Sequence, residues 1–364
     1  MEWYTISDVE RLDTPALVVY PDRVKENIRQ AIAMVGDVAR LRPHVKTHKS
    51  PEVTRMLLDA GVSRFKCATI AEAEMLAVAG AADVLLAYQP IGPKVVRFAS
   101  LLRRYPKLRW SCLVDNAEAA RAMSAVFAGE GLTVDVWVDL NVGMDRTGIA
   151  PGPEAIALYK ELLGLRGLRP VGLHAYDGHI RATDLGERRK QCDEGYAKVL
   201  ELREAIGADL AIIAGGSPTF PIHAQRVGVQ CSPGTFVYWD KGYGDSFPEQ
   251  PFVPAALVVT RVISLRGESR LCLDLGHKSI APENEIGRRV HFLNAPQLKP
   301  VGQSEEHLVV EAGAGHGYKI GDIFYGVPIH ICPTVALYER AFTVEGGKVS
   351  GQFRNLARDR FLSI

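Results

Sequence analysis

VDVWVDLNVGMDRTGIAPGPEAIALYKELLGLRGLRPVGLHAY, residues 134–176, contains the unit from which most of this chain is built. Residues 134–140 are rich in branched and apolar side chains and read as a strand. The segment 152–164 (GPEAIALYKELLG) carries apolar residues at helical spacing, and 170–176 (PVGLHAY) reads as a strand again. Two strands joined by a helical crossover pair in parallel. Working outward, strand-like runs stand at 16–20 (ALVVY), 41–46 (LRPHVK), 64–69 (RFKCAT), 83–88 (DVLLAY), 110–115 (WSCLVD) and 210–216 (LAIIAGG), with amphipathic segments between them. Eight successive βα units describe an α/β fold, a (β/α)8 TIM-type barrel. A ninth extended run, VQCSPGTFVYW (229–239), leaves the count open by one, the first and last runs being the candidates to lie outside the ring.

From about residue 252 the texture changes to β runs separated by turn residues, such as VPAALVVTRVISL, HLVVEAG and YERAFTVEGGKV. The expected organisation is a barrel over 13–245 and a mostly β C-terminal domain over 250–364, with 1–12 a candidate addition to the latter. At 364 residues, 47% hydrophobic and 23% charged, the chain can bury a large core. A net charge of +1 gives no global field to attract nucleic acid or an anionic membrane, so neither is an expected partner. The six cysteines lack CxxC spacing and sit mostly in apolar runs, which suggests buried thiols in a reducing cytoplasm. The opening MEWYTISDVERLDTP does not read as a secretory leader, and no run reaches the roughly 18 apolar residues of a membrane span.

In such a barrel, chemistry gathers at the C-terminal ends of the strands, where loops converge over a rigid sheet. RPHVKTHKSP (42–51) puts Lys46 at such an end, before a helix start with Ser50 as N-cap and Pro51 in the first turn. Arg146 follows the strand 134–140 on a loop whose Gly143 and Gly148 permit a tight turn. HAYDGH places His174, Tyr176 and His179 at the end of the next strand. AGGSPTF brings Gly216 and Ser217, and CSPGTF brings Gly234 and Thr235. Singly, each has an ordinary reading: Lys46 as a surface cation, Arg146 paired with a carboxylate such as Asp139, Tyr176 as packing, the glycines as turns. Together they suit a phosphate dianion held by backbone N–H groups and hydroxyls. Pyridoxal 5′-phosphate needs that cradle, a lysine to carry it, and partners for its ring nitrogen and phenolic oxygen.

These residues carry a resemblance. VDLNVGMDRTGI resembles a segment of alanine racemase and its fold-type III pyridoxal phosphate relatives. TPALVVY, RPHVKTHKSPEV, GGSPTF, PGTFVYWD, SEEH and HICPTV, in this order along nearly the whole chain, resemble the D-serine dehydratase / D-threonine aldolase family. The resemblance implies that Lys46 carries the cofactor, that Arg146 contacts its phenolic oxygen and that Tyr176 neighbours its ring nitrogen. Alanine racemase has an arginine opposite that nitrogen where this chain has Ser232, a change that leaves the ring a better electron sink and suits elimination or retro-aldol cleavage. A homodimer is also implied, one subunit's β domain helping to close its neighbour's barrel mouth.

His330 and Cys332 stand two apart in VPIHICPTV, a strand pattern that points both side chains to one face. Imidazole and thiolate together suit a divalent ion, zinc before manganese or magnesium, with positions left open for water or substrate. A buried cysteine beside a core histidine is the plain alternative. In the resembled family, H-x-C here is the metal pair of D-serine dehydratases, whereas D-threonine aldolases more often carry a carboxylate at the cysteine position. Glu305 and His307 are further polar candidates. The expected activity is a pyridoxal phosphate- and metal-dependent lyase acting on a small D-3-hydroxy amino acid. D-serine dehydratase-like β-elimination to a 2-oxo acid and ammonia comes first, and D-threonine aldolase-type cleavage to glycine and an aldehyde is the alternative. An amino-acid racemase or a non-enzymatic cofactor-binding protein comes after both.

Overall fold

The computed structural model describes residues 2–364. Its chain forms two compact units, each drawn from three stretches. One comprises Arg29–Lys46, Thr54–Gly234 and Asp359–Ile364; the other comprises residues up to Ile28, Thr47–Val53 and Thr235–Arg358.

The first apolar run, β1 (Ala16–Val19), does not enter the barrel. The first unit is built on a parallel sheet of β2 (Arg64–Cys67), β3 (Asp83–Leu86), β4 (Arg109–Val114), β5 (Val134–Leu140), β6 (Leu168–Ala175), β7 (Ala211–Ala214) and β8 (Val229–Cys231), paired in that order. Residues 41–46 join its two edges. Leu41 bridges Cys231 of β8 and His44 bridges Lys66 of β2, and backbone bonds run from Arg42 N to Cys231 O (2.8 Å) and from Val45 N to Lys66 O (2.9 Å). Pro43 has no N–H to give, so this eighth stave makes bridges without a continuous ladder. The ring is a (β/α)8 barrel, and the ninth run supplies β8 in only three residues.

Side chains fill the barrel. Leu85, Leu113, Trp137 and Ile213, from four strands, form one buried cluster, each contributing about 1.5–3 kcal/mol by burial. The buried Arg42 guanidinium pairs with both carboxylate oxygens of Asp83, at 2.6 and 3.1 Å. The helices that begin after Thr69, Asn116 and Asp184 start on side-chain caps. Thr69 accepts from Glu72 N, whose carboxylate returns to Ala68 N, a reciprocal box that starts the helix Ile70–Ala79 directly behind β2. The segment Asp359–Ile364 is tied to this unit by Arg97, which donates to the carbonyl oxygens of Arg360 and Ile364, and by Ser363 on Glu74.

In the second unit β1 is joined by β9 (Ala256–Arg266), β10 (Arg270–Leu273), β11 (Val290–Phe292), β12 (Lys299–Gln303), β13 (Leu308–Glu311), β14 (Ile323–Pro328), β15 (Arg340–Glu345) and β16 (Lys348–Arg354). The sheet order is β12-β13-β10-β9-β1-β15-β16, with β14 on β9 and β11 on β14. β1 runs antiparallel to β9, Ala16 opposite Val259, and parallel to β15, Val18 opposite Phe342. All four of its residues are buried, as a central strand requires. Leu271, Leu273, Leu308 and Val310 pack with Phe292 and Phe324, whose ring centroids are 5.5 Å apart. Among the described residues no helix is long and apolar enough to cross a membrane, and the six cysteines are free thiols.

Candidate active site

Lys46 is half-buried in the turn that follows the closing stave, its backbone N–H donating to Nδ1 of His44 at 3.3 Å. Inside the barrel, β5 and β6 pair Asp139 with His174, and their side chains meet at 2.7 Å (Oδ1 to Nδ1). Thr147 donates to the other Asp139 oxygen at 3.0 Å. Burial would raise the Asp139 carboxyl, but the hydrogen bonds from His174 and Thr147 hold it below the ordinary carboxylate range. Burial, reinforced by the Lys66 charge, lowers His174. The imidazole is therefore neutral, with its Nδ1–H donated to Asp139 and its Nε2 left as an acceptor. That acceptor faces Nζ of Lys66 at 3.2 Å. Arg146 does not take Asp139. Its guanidinium carbon lies 5.0 Å from the Tyr176 ring centroid, a cation–π contact. The loop that carries it requires a glycine at 148, where φ is +98° and a Cβ would stand 2.6 Å from Asn141 N.

The two glycine loops interlock. Gly234 N donates to Ser217 Oγ at 3.2 Å, and Gly216 N donates to Thr219 Oγ1 at 3.3 Å. A Cβ at 216 would lie 2.8 Å from Cε2 of Tyr176, so the glycine makes room for that ring. Beneath the loop, Thr219 Oγ1 donates to Asp177 (2.7 Å), His223 Nε2 meets the same carboxylate (2.8 Å), and Cys192 Sγ lies 3.2 Å from His223. The Ser232 hydroxyl is buried without a hydrogen-bond partner among the described residues, one residue before Pro233-Gly234. Lysine, arginine, tyrosine, two buried glycine turns and an orphaned hydroxyl at one barrel mouth fit pyridoxal phosphate. Thr235, expected with the cradle, belongs to the other unit, its hydroxyl 3.7 Å from Cys332 Sγ.

In the second unit the strand reading of VPIHICPTV (327–335) is corrected. β14 ends at Pro328, and Ile331–Ala336 is helical with His330 as its N-cap residue. Pro333 falls in the first turn, where a missing N–H costs nothing, and Asp240 accepts from Ile331 N at 3.1 Å. His330 and Cys332 nevertheless meet, hydrogen-bonded across the helix start. Burial alone would lower His330, but Cys332, Asp240 and Glu283 raise it to about 9. Burial would raise Cys332, but its bonds to His330 and Thr47 lower it. Thr47 Oγ1, from the residue after Lys46 in the chain, sits 3.2 Å from the sulfur. Glu283 Oε1 stands 2.6 Å from His330 Nδ1, leaving Nε2 for an ion. A cysteine sulfur and an imidazole nitrogen, once both have given up their protons to an ion, are a donor set for a borderline-soft cation. Glu305 instead pairs with Lys278 at 2.6 Å on the surface, and His307 is exposed.

Sequence reasoning missed Lys66 and the trio Asp177, Cys192 and His223. The trio's donor atoms lie close enough to hold an ion, but burial pushes the Cys192 thiol up to about 12, and Arg226 Nη2 stands 3.6 Å from its sulfur. Hydrogen bonds already join the three, and through Thr219 they support the Gly216 loop. No motif marks them, because they come from three separate elements.

Comparisons with known proteins agree with this fold. Residues 19–241 match the family described as alanine racemase, N-terminal domain, and 255–344 match a serine dehydratase domain family. D-threonine aldolase of Arthrobacter sp. is 30% identical over 359 residues, 96% of this chain and 93% of that protein. The crystal structure of D-threonine aldolase from Filomicrobium marinum superposes with a TM-score of 0.88 at 26% identity, covering 95% of this chain and 96% of that one. D-threo-3-hydroxyaspartate dehydratase, solved as a histidine-to-alanine variant and as a metal-free cysteine-to-alanine variant, gives TM-scores of 0.82 and 0.81 at 25% identity, over 94% of this chain and 95% and 98% of those. The chain belongs to the D-serine dehydratase / D-threonine aldolase family of alanine racemase-like, fold-type III pyridoxal phosphate enzymes, and is a lyase.

Proposed function

We propose that this lyase eliminates water from a D-3-hydroxy amino acid, giving a 2-oxo acid and ammonia. The observation that carries this reading is the His330–Cys332 pair, an imidazole side chain and a cysteine sulfur hydrogen-bonded at one helix start. The histidine and cysteine replaced in the solved dehydratase variants are likewise two positions apart, and the cysteine variant is metal-free. When bound, pyridoxal phosphate supplies an electron sink for charge developing at Cα, and a divalent ion at His330 and Cys332 supplies Lewis acidity for the departing 3-hydroxyl. Zinc suits the thiolate better than manganese or magnesium.

In this reading Lys46 holds the cofactor and then takes the α-proton. Arg146 and Tyr176 flank the ring, and Gly216, Ser217 and Gly234 provide the phosphate cradle without a cation of their own. Asp139 fixes His174 so that its Nε2 is presented inside the barrel as an acceptor. The second reading, retro-aldol cleavage, is favoured by the near full-length similarity to D-threonine aldolase. Both readings use the same residues and differ in the bond that breaks. A homodimer with a composite site is part of the proposal, and a fully active monomer in light scattering would remove that part. The deciding experiment supplies D-threonine to the metal-loaded holoenzyme. Accumulation of 2-oxobutanoate and ammonia supports elimination, and glycine with acetaldehyde overturns it in favour of the aldolase.

A further inference from the structure

Lys66 belongs to none of the motifs above, yet it is 3% exposed on β2, between Phe65 and Cys67, which are fully buried. Its ammonium group reaches into the barrel, 3.2 Å from His174 Nε2 and 5.8 Å from the Tyr176 ring centroid. Among the described residues no carboxylate touches it; Asp139 is reached only through His174. An ammonium buried against a neutral imidazole is a poor structural choice, because an apolar side chain of the same length would fill the space without the desolvation cost. The charge itself must be of use. The groups around it are Lys46 and Arg42 from the closing stave, Asp139 from β5, and His174 and Asp177 from β6 and its exit, with Arg146 against Tyr176.

We infer that Lys66 is a positioning residue of the proposed reaction, a proton holder that exchanges with His174 and sets the protonation state of the cofactor carried by Lys46. The inference rests on the Lys46 reading. With Asp139 ionised, Lys66 donates to His174 Nε2. Passing that proton across leaves a neutral amine on Lys66 and an imidazolium bound to Asp139, with no change in total charge. Burial, and then Lys46, lower Lys66 to about 7, which puts loss of the shared proton within the working pH range.

The test titrates the visible absorbance of the reconstituted holoenzyme from pH 5 to 9 in wild type, Lys66→Met, Lys66→Arg and Asp139→Asn. Each is also reduced with borohydride and peptide-mapped. Removing a nearby cation favours the protonated form of the lysine-bound cofactor, so Lys66→Met should move the midpoint up by about one unit or more. Asp139→Asn should move it down, and Lys66→Arg should stay near wild type. Consumption of D-threonine by Lys66→Met should lose about 100-fold in kcat with a smaller change in KM. A Lys66→Met midpoint and kcat equal to wild type would overturn the inference. Should that variant not fold, an Asp139→Asn midpoint that stays or rises overturns it equally. Reduction that marks a lysine other than Lys46 defeats the underlying reading instead, and the peptide map separates the two failures.

Discussion

His174 and His330 show the same imidazole driven in opposite directions. His174 lies among the strands of the barrel, where burial and a neighbouring ammonium keep it neutral. His330 stands at a helix start, where Cys332, Asp240 and Glu283 outweigh burial and raise it to about 9. The first is an acceptor held rigid by elements distant in sequence, and the second is half of a local pair only two residues apart. The difference teaches that disturbing the barrel network should cost stability as well as function, whereas disturbing the local pair should cost function alone.

The largest effect expected is that of Lys46→Ala. It should abolish the visible absorption of the lysine-bound cofactor and reduce turnover by about 10⁴-fold or more, with circular dichroism unchanged. Retained absorption would remove Lys46 from the barrel site. Asp177→Ala comes next, because it strands Thr219, His223 and Cys192 in a dry interior. Urea unfolding should show a loss of about 3–5 kcal/mol, with weaker cofactor retention. A loss below about 1 kcal/mol would mean that the network does not hold the barrel as argued. Chelation, or Cys332→Ala, supplies the opposite case. Turnover should fall by about 100-fold or more, with metal loss confirmed by elemental analysis, while the melting temperature stays within about 2 °C, because two ligands so close in sequence close almost no loop. A large drop in melting temperature would make the pair structural and erase the contrast.

The smallest effect sharpens the comparison through a third histidine. His48 is fully buried, its Nδ1 accepts from Ser50 N at 3.1 Å, and burial lowers it to about 3. Its folded value lies below the unfolded one, so its stabilising effect is complete above pH ~6.5 and is lost as pH falls from there toward 3. His48→Asn keeps an acceptor for Ser50 and cannot be protonated, so its stability should fall less between pH 7 and pH 4.5, by about 1–2 kcal/mol. Parallel pH profiles for the two proteins would contradict the neutral assignment.

Much of this was legible in the sequence, and the misses have physical causes. A strand buried on both faces looks the same in either sheet, so ALVV could not announce that it leaves the barrel for β9 and β15. His330 and Cys332 were found by residue type and spacing, but the helix that joins them depends on Asp240, 91 residues before Ile331 in the chain. Lys66 left one signal that was passed over. A lysine flanked by Phe65 and Cys67 in a parallel strand covered on both faces has only the interior to enter. Asp139 was considered as a partner for Arg146, yet its bond to His174 needs the register of β5 against β6, which no local pattern contains.

The interleaving of the two units bears on how the chain is made. Ribosomes extend a chain at roughly 5–20 residues per second, and β1 emerges early, whereas its neighbours β9 and β15 are Val259 and Phe342 at the paired positions. For on the order of ten seconds or more, an apolar four-residue strand has neither of its edges covered, and a hydrophobic strand with free edges is a template for wrong pairing. Non-local closure of this kind also slows folding after release. Overproduction should therefore be limited by chaperone capacity, and slower synthesis at low temperature should raise the soluble yield more than any substitution on the finished surface.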